Sequence, residues 1–149
     1  MQVAEFKDIL WGYTRRITEN SNKVFNFIAE KYGFTILQVR ILMELHQNGS
    51  HTIGGLAEDI YVAGTNISAM CKKLENMGYL KRVRDQEDER VVQVGLSQKG
   101  KEVVLEIDRE LQERINQLIA DEPEQNLADI ISGMQKLDEL LHKISKIRR

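Results

Sequence analysis

A mainly α-helical fold with a small β-hairpin wing, a winged helix-turn-helix flanked by long terminal helices, is the class this sequence predicts. Three observations point to it. Apolar residues recur at three- and four-residue steps over most of the 149 residues. The period switches to two only once, over residues 91–96. Between the long terminal segments the order is helix, short helix, helix, hairpin, in the spacing of a helix-turn-helix motif with a two-stranded wing.

The first helix spans Val3 to about Lys31. It has no proline, and Phe6, Ile9, Leu10, Tyr13, Ile17, Val24 and Ile28 form one apolar stripe. Gly33 stops it. Thr35 and Gln38 then have capping-box spacing, with Phe34 and Val39 placed for a hydrophobic staple. This second helix runs to about Gln47, before the turn cluster Asn48-Gly49-Ser50. Ile53, Leu56, Ala57 and Ile60 mark a short third helix. A fourth follows Val62-Ala63-Gly64, with Ile67, Met70, Cys71, Leu74 and Met77 on one stripe and Gly78 closing it.

Leu80 to Arg84 and the alternating Val92, Val94 and Leu96 read as paired strands, joined by the polar turn Asp85 to Glu89. So short a pair needs the helices to pack against. Ser97 caps a fifth helix bearing Val104, Ile107, Leu111, Ile115 and Leu118. Pro123, the only proline, is placed to occupy the first turn of a sixth helix. There Leu127, Ile130, Met134, Leu137, Leu141 and Ile144 keep a heptad rhythm. Such a seam suits either a core helix within one subunit or association between subunits. Long helices at both ends favour the interface, hence a homodimer.

Composition narrows the function. Net charge is −2, from 21 basic and 23 acidic residues, which disfavours a non-specific nucleic-acid coat but leaves room for a local basic cluster. Such a cluster exists. Between residues 65 and 90 stand Lys72, Lys73, Lys81, Arg82, Arg84 and Arg90, and apart from Glu75 every acid there lies within Asp85 to Glu89. With Ile67, Met70, Cys71 and Leu74 facing inward, the 100° helical step turns Thr65, Ala69, Lys72, Lys73 and Asn76 outward. Asn66 and Ser68 fall on the starting turn, where free N–H groups favour a phosphate. A solvated helix face would read the same on this helix alone.

Residues Thr35 to Gly100 resemble the multiple antibiotic resistance regulator (MarR) family. Thr35-x-x-Gln38, Ile53-x-x-Leu56-Ala57, Asn66-Ile67-Ser68 and Leu74-Glu75-Asn76-Met77-Gly78-Tyr79-Leu80 each match. The most specific stretch is Asp88-Glu89-Arg90 followed by Leu96-Ser97-Gln98-Lys99-Gly100, with Ser97 where the family has threonine. The resemblance implies a homodimeric regulator, a repressor by expectation, on double-stranded DNA. Its recognition helix would carry Thr65, Asn66, Ser68, Ala69, Lys72 and Lys73. Its wing would carry Arg82, Arg84 and Arg90, with Asp88 steadying Arg90 in a minor groove. A lobe over residues 33–100 would bind DNA, and residues 1–32 and 101–149 would dimerise within one domain.

The same resemblance implies a small aromatic or anionic effector. Trp11, Tyr13 and Arg15 or Arg16 could meet it, although core packing or a solvated face accounts for them as well. Cys71 reads as a small packing residue, since redox-sensing relatives carry their cysteine on the first helix. His46, His51 and His142 lack metal-ligand spacing with one another or with Cys71, and the family's zinc sensors use fifth-helix histidines absent here. No cofactor or metal is expected, and no nucleophile–base motif or phosphate loop supports an enzyme. No apolar run approaches the ~20 residues of a membrane span, the opening MQVAEFKDIL lacks a signal-peptide layout, and a lone cysteine suits a reducing compartment. The expected location is the cytoplasm, with no membrane partner. The rival reading is a winged-helix protein–protein adaptor, suggested by the net negative charge and acidic wing.

Overall fold

The computed structural model describes residues 2–147. They fold in the order α1 (Val3–Tyr32), α2 (Ile36–Asn48), α3 (Ile53–Ile60), α4 (Gly64–Asn76), β1 (Leu80–Arg84), β2 (Val92–Leu96), α5 (Gln98–Ile119) and α6 (Glu124–Ser145). The chain divides into two compact units, Met1–Ile107 and Asp108–Arg149.

In the first unit, each helix boundary has a local chemical cause. α1 ends where Gly33 adopts φ +71, returning its N–H to the carbonyls of Ala29 and Glu30. Thr35 and Gln38 then form the expected capping box. The Gln38 N–H donates to Thr35 Oγ1 at 3.2 Å and the Thr35 N–H to Gln38 Oε1 at 2.9 Å. Phe34 and Val39, the expected staple, are both buried. Thr52 caps α3 by accepting the Gly55 N–H at 3.0 Å.

α3 closes on Tyr61, which takes a left-handed φ of +59 although it is not glycine. Such a residue costs about 1–2 kcal/mol in backbone strain. The bend is held by the Tyr61 and Val62 N–H groups on carbonyls of Glu58 and Ala57, and by Arg40, which donates to the Ile60 carbonyl at 2.9 Å. This bend is the turn of the helix-turn-helix, and it lets α3 and α4 share one core.

That core is formed by Ile28, Phe34, Val39, Ile41, Leu42, Leu45, Leu56, Ile60, Ile67, Cys71, Leu74, Leu80, Val94, Leu96, Val104 and Ile107, all buried. On α4 the inward stripe is Ile67, Cys71 and Leu74, with Met70 half-buried. Met77, expected on that stripe, is 39% exposed. The helix has ended by then, and Gly78 at φ +86 turns the chain away.

β1 and β2 pair antiparallel, Leu80 opposite Leu96 and Arg84 opposite Val92. The wing has a third contributor. His51 forms an antiparallel bridge with Val94, its N–H donating to the Val94 carbonyl at 3.0 Å and its carbonyl accepting the Val94 N–H at 2.7 Å. Gly95 permits the approach, because a Cβ there would lie 2.5 Å from Ser50 Oγ.

The exit from β2 explains the Leu96-Ser97-x-x-Gly100 spacing. Ser97 Oγ accepts the Gly100 N–H at 3.0 Å and so caps α5, while the Ser97 N–H donates to the Tyr79 carbonyl at 3.0 Å. A Cβ on Gly100 would collide with that same carbonyl oxygen. The motif therefore docks the start of α5 on the exit from α4.

In the second unit, the distal part of α5 and all of α6 expose their apolar stripes. Ile115 is 51% exposed, Leu118 75%, Ile130 58% and Met134 65%, and α6 has no buried residue at all. Leu127, Leu137 and Leu141 are half-buried. Pro123 stands one residue outside the helix rather than in its first turn. Its ψ of 135 is extended, so the helix opens at Glu124 with the Pro123 carbonyl accepting from Asn126 at 2.9 Å.

Candidate nucleic-acid interface

The surface of α4 follows from its core stripe. With Ile67, Cys71 and Leu74 turned inward, Thr65, Asn66, Ser68, Ala69, Lys72, Lys73 and Asn76 are all exposed. The N-cap residue Ala63 supplies no side-chain cap; the Asn66 N–H turns back to the Ala63 carbonyl at 3.0 Å, which leaves the Gly64 and Thr65 N–H groups for an acceptor from outside. Among the described residues, Lys72 and Lys73 have no carboxylate within ion-pair distance. Two uncommitted cations about two turns along from an uncapped helix start make a surface suited to phosphate.

The wing arginines play different parts. Arg82 pairs with Glu75 at 3.2 Å, which ties β1 to α4 and offsets one positive charge. Arg84 donates to the Glu89 carbonyl at 3.1 Å, so it braces the wing tip. Arg90 is the one that projects, its side chain 90% exposed. Asp88 holds it: Oδ1 accepts the Arg90 Nε at 3.1 Å and the Arg90 backbone N–H at 3.0 Å. This guanidinium and N–H together keep the Asp88 carboxyl below the usual carboxylate range.

Asp85, which the sequence offered only as one acid in a run, organises the tip. Its Oδ1 accepts the N–H groups of Glu87 and Asp88 at 2.8 and 3.1 Å, and its Oδ2 accepts Gln93 Nε2 at 3.1 Å. The turn chemistry of an aspartate two and three residues before free N–H groups is the signal that identifies it. Since Asp85 and Asp88 are both engaged by donors, the acidity of the tip is partly spent inside it.

Cys71 lies inward at 1% exposure, and burial pushes its thiol up to about 11. It is a packing residue with an unreactive, neutral thiol. On α1, Trp11 and Tyr13 are 61% and 57% exposed. The Arg16 guanidinium stacks 4.3 Å from the Tyr13 ring centroid, and Arg15 reaches Glu19 at 3.8 Å. All four are exposed in the single chain, but the 100° step sets Trp11 and Arg15 on one side of α1 and Tyr13 and Arg16 on the other.

Comparison with known proteins gives a consistent picture. Residues 23–107 match the family model described as transcriptional regulator SarA/Rot. The chain is 24% identical over 95 residues to an HTH-type transcriptional regulator, YhbI, of Bacillus subtilis, covering 64% of this chain and 62% of that protein. It is 30% identical over 81 residues to the HTH-type transcriptional regulator SarZ of Staphylococcus aureus, covering 54% of each. The chain thus spans between half and two thirds of the length of the curated relatives it matches.

Among solved structures, a MarR family protein from Bacillus stearothermophilus superposes with a TM-score of 0.80 at 22% identity, over 95% of this chain and 99% of that one. The transcriptional regulator BldR from Sulfolobus solfataricus gives 0.70 at 28% identity, over 91% and 99%. The stretch singled out from sequence, Thr35 to Gly100, falls inside the family match.

Proposed function

The chain belongs to the SarA/Rot family of transcriptional regulators, whose winged-helix fold it shares with MarR regulators, and on that premise we propose that it binds double-stranded DNA as a homodimer. It is a transcriptional regulator, and neither the family nor the relatives are enzymes. No helix among the described residues is long and apolar enough to cross a membrane. In this reading α4 enters a major groove and Arg90 the adjoining minor groove, where a narrow A/T-rich stretch attracts arginine. The protein acts in the cytoplasm, represses by occupying a pseudo-palindromic operator, and takes its two-fold symmetry from the terminal helices. The lobe over residues 33–100 contacts DNA, and residues 1–32 and 101–149 supply the dimer contacts.

The observation that carries this reading is the pairing of an exposed Lys72–Lys73 surface on an uncapped helix with an arginine held outward by its own aspartate. An aromatic or anionic effector near Trp11 and Arg15, or near Tyr13 and Arg16, requires the second copy to supply a wall, because one chain leaves both sides of α1 open there.

Operator fragments selected from random oligonucleotides provide the test, with binding followed by fluorescence anisotropy across a salt series. Affinity should fall steeply with salt, and Lys72→Ala should reduce the slope by about one unit if Lys72 meets a phosphate. Absence of binding even at low salt would favour the adaptor reading, which the acidic wing tip motivates.

A further inference from the structure

Away from the α4 and wing surface, three potential metal ligands converge from separate parts of the first unit. Glu44 comes from α2, His51 from the strand bridge and Asp59 from α3, and their donor atoms all lie within 4.8 Å of one another. His51 Nε2 is 3.0 Å from Asp59 Oδ2 and 3.7 Å from Glu44 Oε1. Two donors bound about 2.0–2.1 Å from a tetrahedral ion stand roughly 3.4 Å apart, and the two observed separations bracket that value.

The imidazole is oriented for the task. His51 Nδ1 lies 2.6 Å from the Gly49 carbonyl oxygen. A carbonyl oxygen can only accept, so a proton on Nδ1 is directed there and Nε2 is the ring atom turned toward both carboxylates. That is the outer-shell arrangement which fixes a ligating histidine's tautomer. The backbone at His51 is pinned by both bonds of its bridge to Val94, and Glu44 is steadied by Asn48 Nδ2 at 2.7 Å. Two carboxylates facing one imidazole leave net negative charge that a dication would neutralise. The His51 and Glu44 side chains are only 14% and 20% exposed, while Asp59 at 50% opens the cluster to solvent. The surrounding concavity, lined also by Glu58 and Tyr61, leaves room for a water in the fourth position.

We propose that Glu44, His51 and Asp59 form a binding site for a divalent transition-metal ion, with Zn²⁺ the best match to one nitrogen and two oxygen donors. Bound metal would tie α3 to α2 and to the wing's third segment. The site uses the junction of the DNA-facing lobe, not the fifth helix. It stands independently of DNA binding, and its test needs no DNA.

Full-length protein freed of metal with a chelator would be titrated with ZnCl₂ by calorimetry. Co²⁺ would serve as a visible-absorption probe of tetrahedral coordination. One equivalent per chain is expected, with the melting temperature raised by about 5–10 °C at a hundredfold excess over Kd. His51→Gln and Asp59→Asn should each weaken binding by more than about tenfold. Circular dichroism of each variant reports its fold, and half-exposed Asp59 can be replaced without disturbing the core. No heat and no thermal shift in the wild type would overturn the proposal, leaving the three side chains as a local polar cluster. Undiminished Zn²⁺ binding in folded Asp59→Asn would equally overturn it.

Discussion

The carboxylate of Asp88 grips the guanidinium of Arg90 along one edge, Oδ1 to Nε at 3.1 Å and Oδ2 to Nη2 at 3.4 Å, while the rest of the arginine stands clear of the protein. A long side chain that is already restrained loses less rotamer entropy on entering a groove. Arg90→Ala should therefore weaken operator binding about tenfold or more and leave the melting temperature unchanged, because the pair is solvent-exposed. Asp88→Ala should weaken binding by less. Because Asp88 titrates below the usual carboxylate range, the restraint is present above the ordinary value and disappears only as pH falls through the lowered one. Wild-type affinity in Arg90→Ala, measured by fluorescence anisotropy, would remove the wing from the interface.

The exposed seam of α6 predicts assembly. Ile130 and Met134 are one turn apart and 58% and 65% exposed in the single chain, so glutamate at both positions costs the isolated chain little. At a dimer interface the same change would bury two charges. Sedimentation of the double variant should show monomers with helical content retained. A dimer as stable as the wild type would take α6 out of the interface.

Gly100 tests the docking of α5. Alanine there must displace the Tyr79 carbonyl, which also accepts the Ser97 N–H. Gly100→Ala should destabilise by about 1–3 kcal/mol in urea unfolding. Gly54→Ala is the control: nothing lies near its added methyl, so it should be neutral or stabilise by up to about 1 kcal/mol. Equal effects of the two substitutions would mean that the junction is plastic.

Cys71 gives a prediction in pH. Its thiol titrates at about 11 in the fold against 9.0 for an ordinary thiol, so the folded state holds the proton more tightly. The contribution, on the order of 2–3 kcal/mol, is complete below pH 9 and is lost as pH rises toward 11. Cys71→Ala should flatten that part of the stability curve. Native protein at pH 8 should react with a thiol reagent only on unfolding, and rapid native labelling would contradict the buried placement.

Much of this could be read from the chain because the signals are local. Thr35 with Gln38, Gly33, Gly78 and Ser97 each act through neighbours within a few residues, so helix ends followed from sequence. The rotation of α4 followed from a single stripe and correctly exposed Lys72 and Lys73. What escaped was non-local or spent by competition. Glu44, His51 and Asp59 are separated along the chain and meet only because the bridge to Val94 carries His51 between two helices. Arg82 and Arg84 read as free cations, but Glu75 and the Glu89 carbonyl claim them. The α6 stripe read as a seam between subunits, and Ile130 and Met134 are open in one chain, as are Ile17 and Val24 on α1.

The wing tip has a consequence for how it tolerates change. Its hydrogen bonds run from Arg84 to Gln93 and close among themselves: Asp85 with Glu87, Asp88 and Gln93, Asp88 with Arg90, and the Asp85 N–H with the Val91 carbonyl. The strands beneath are kept in register by Leu80 and Leu96, which the tip does not touch. Residues 84–93 therefore behave as a cassette. They can be substituted as a block without any matching change in the interior.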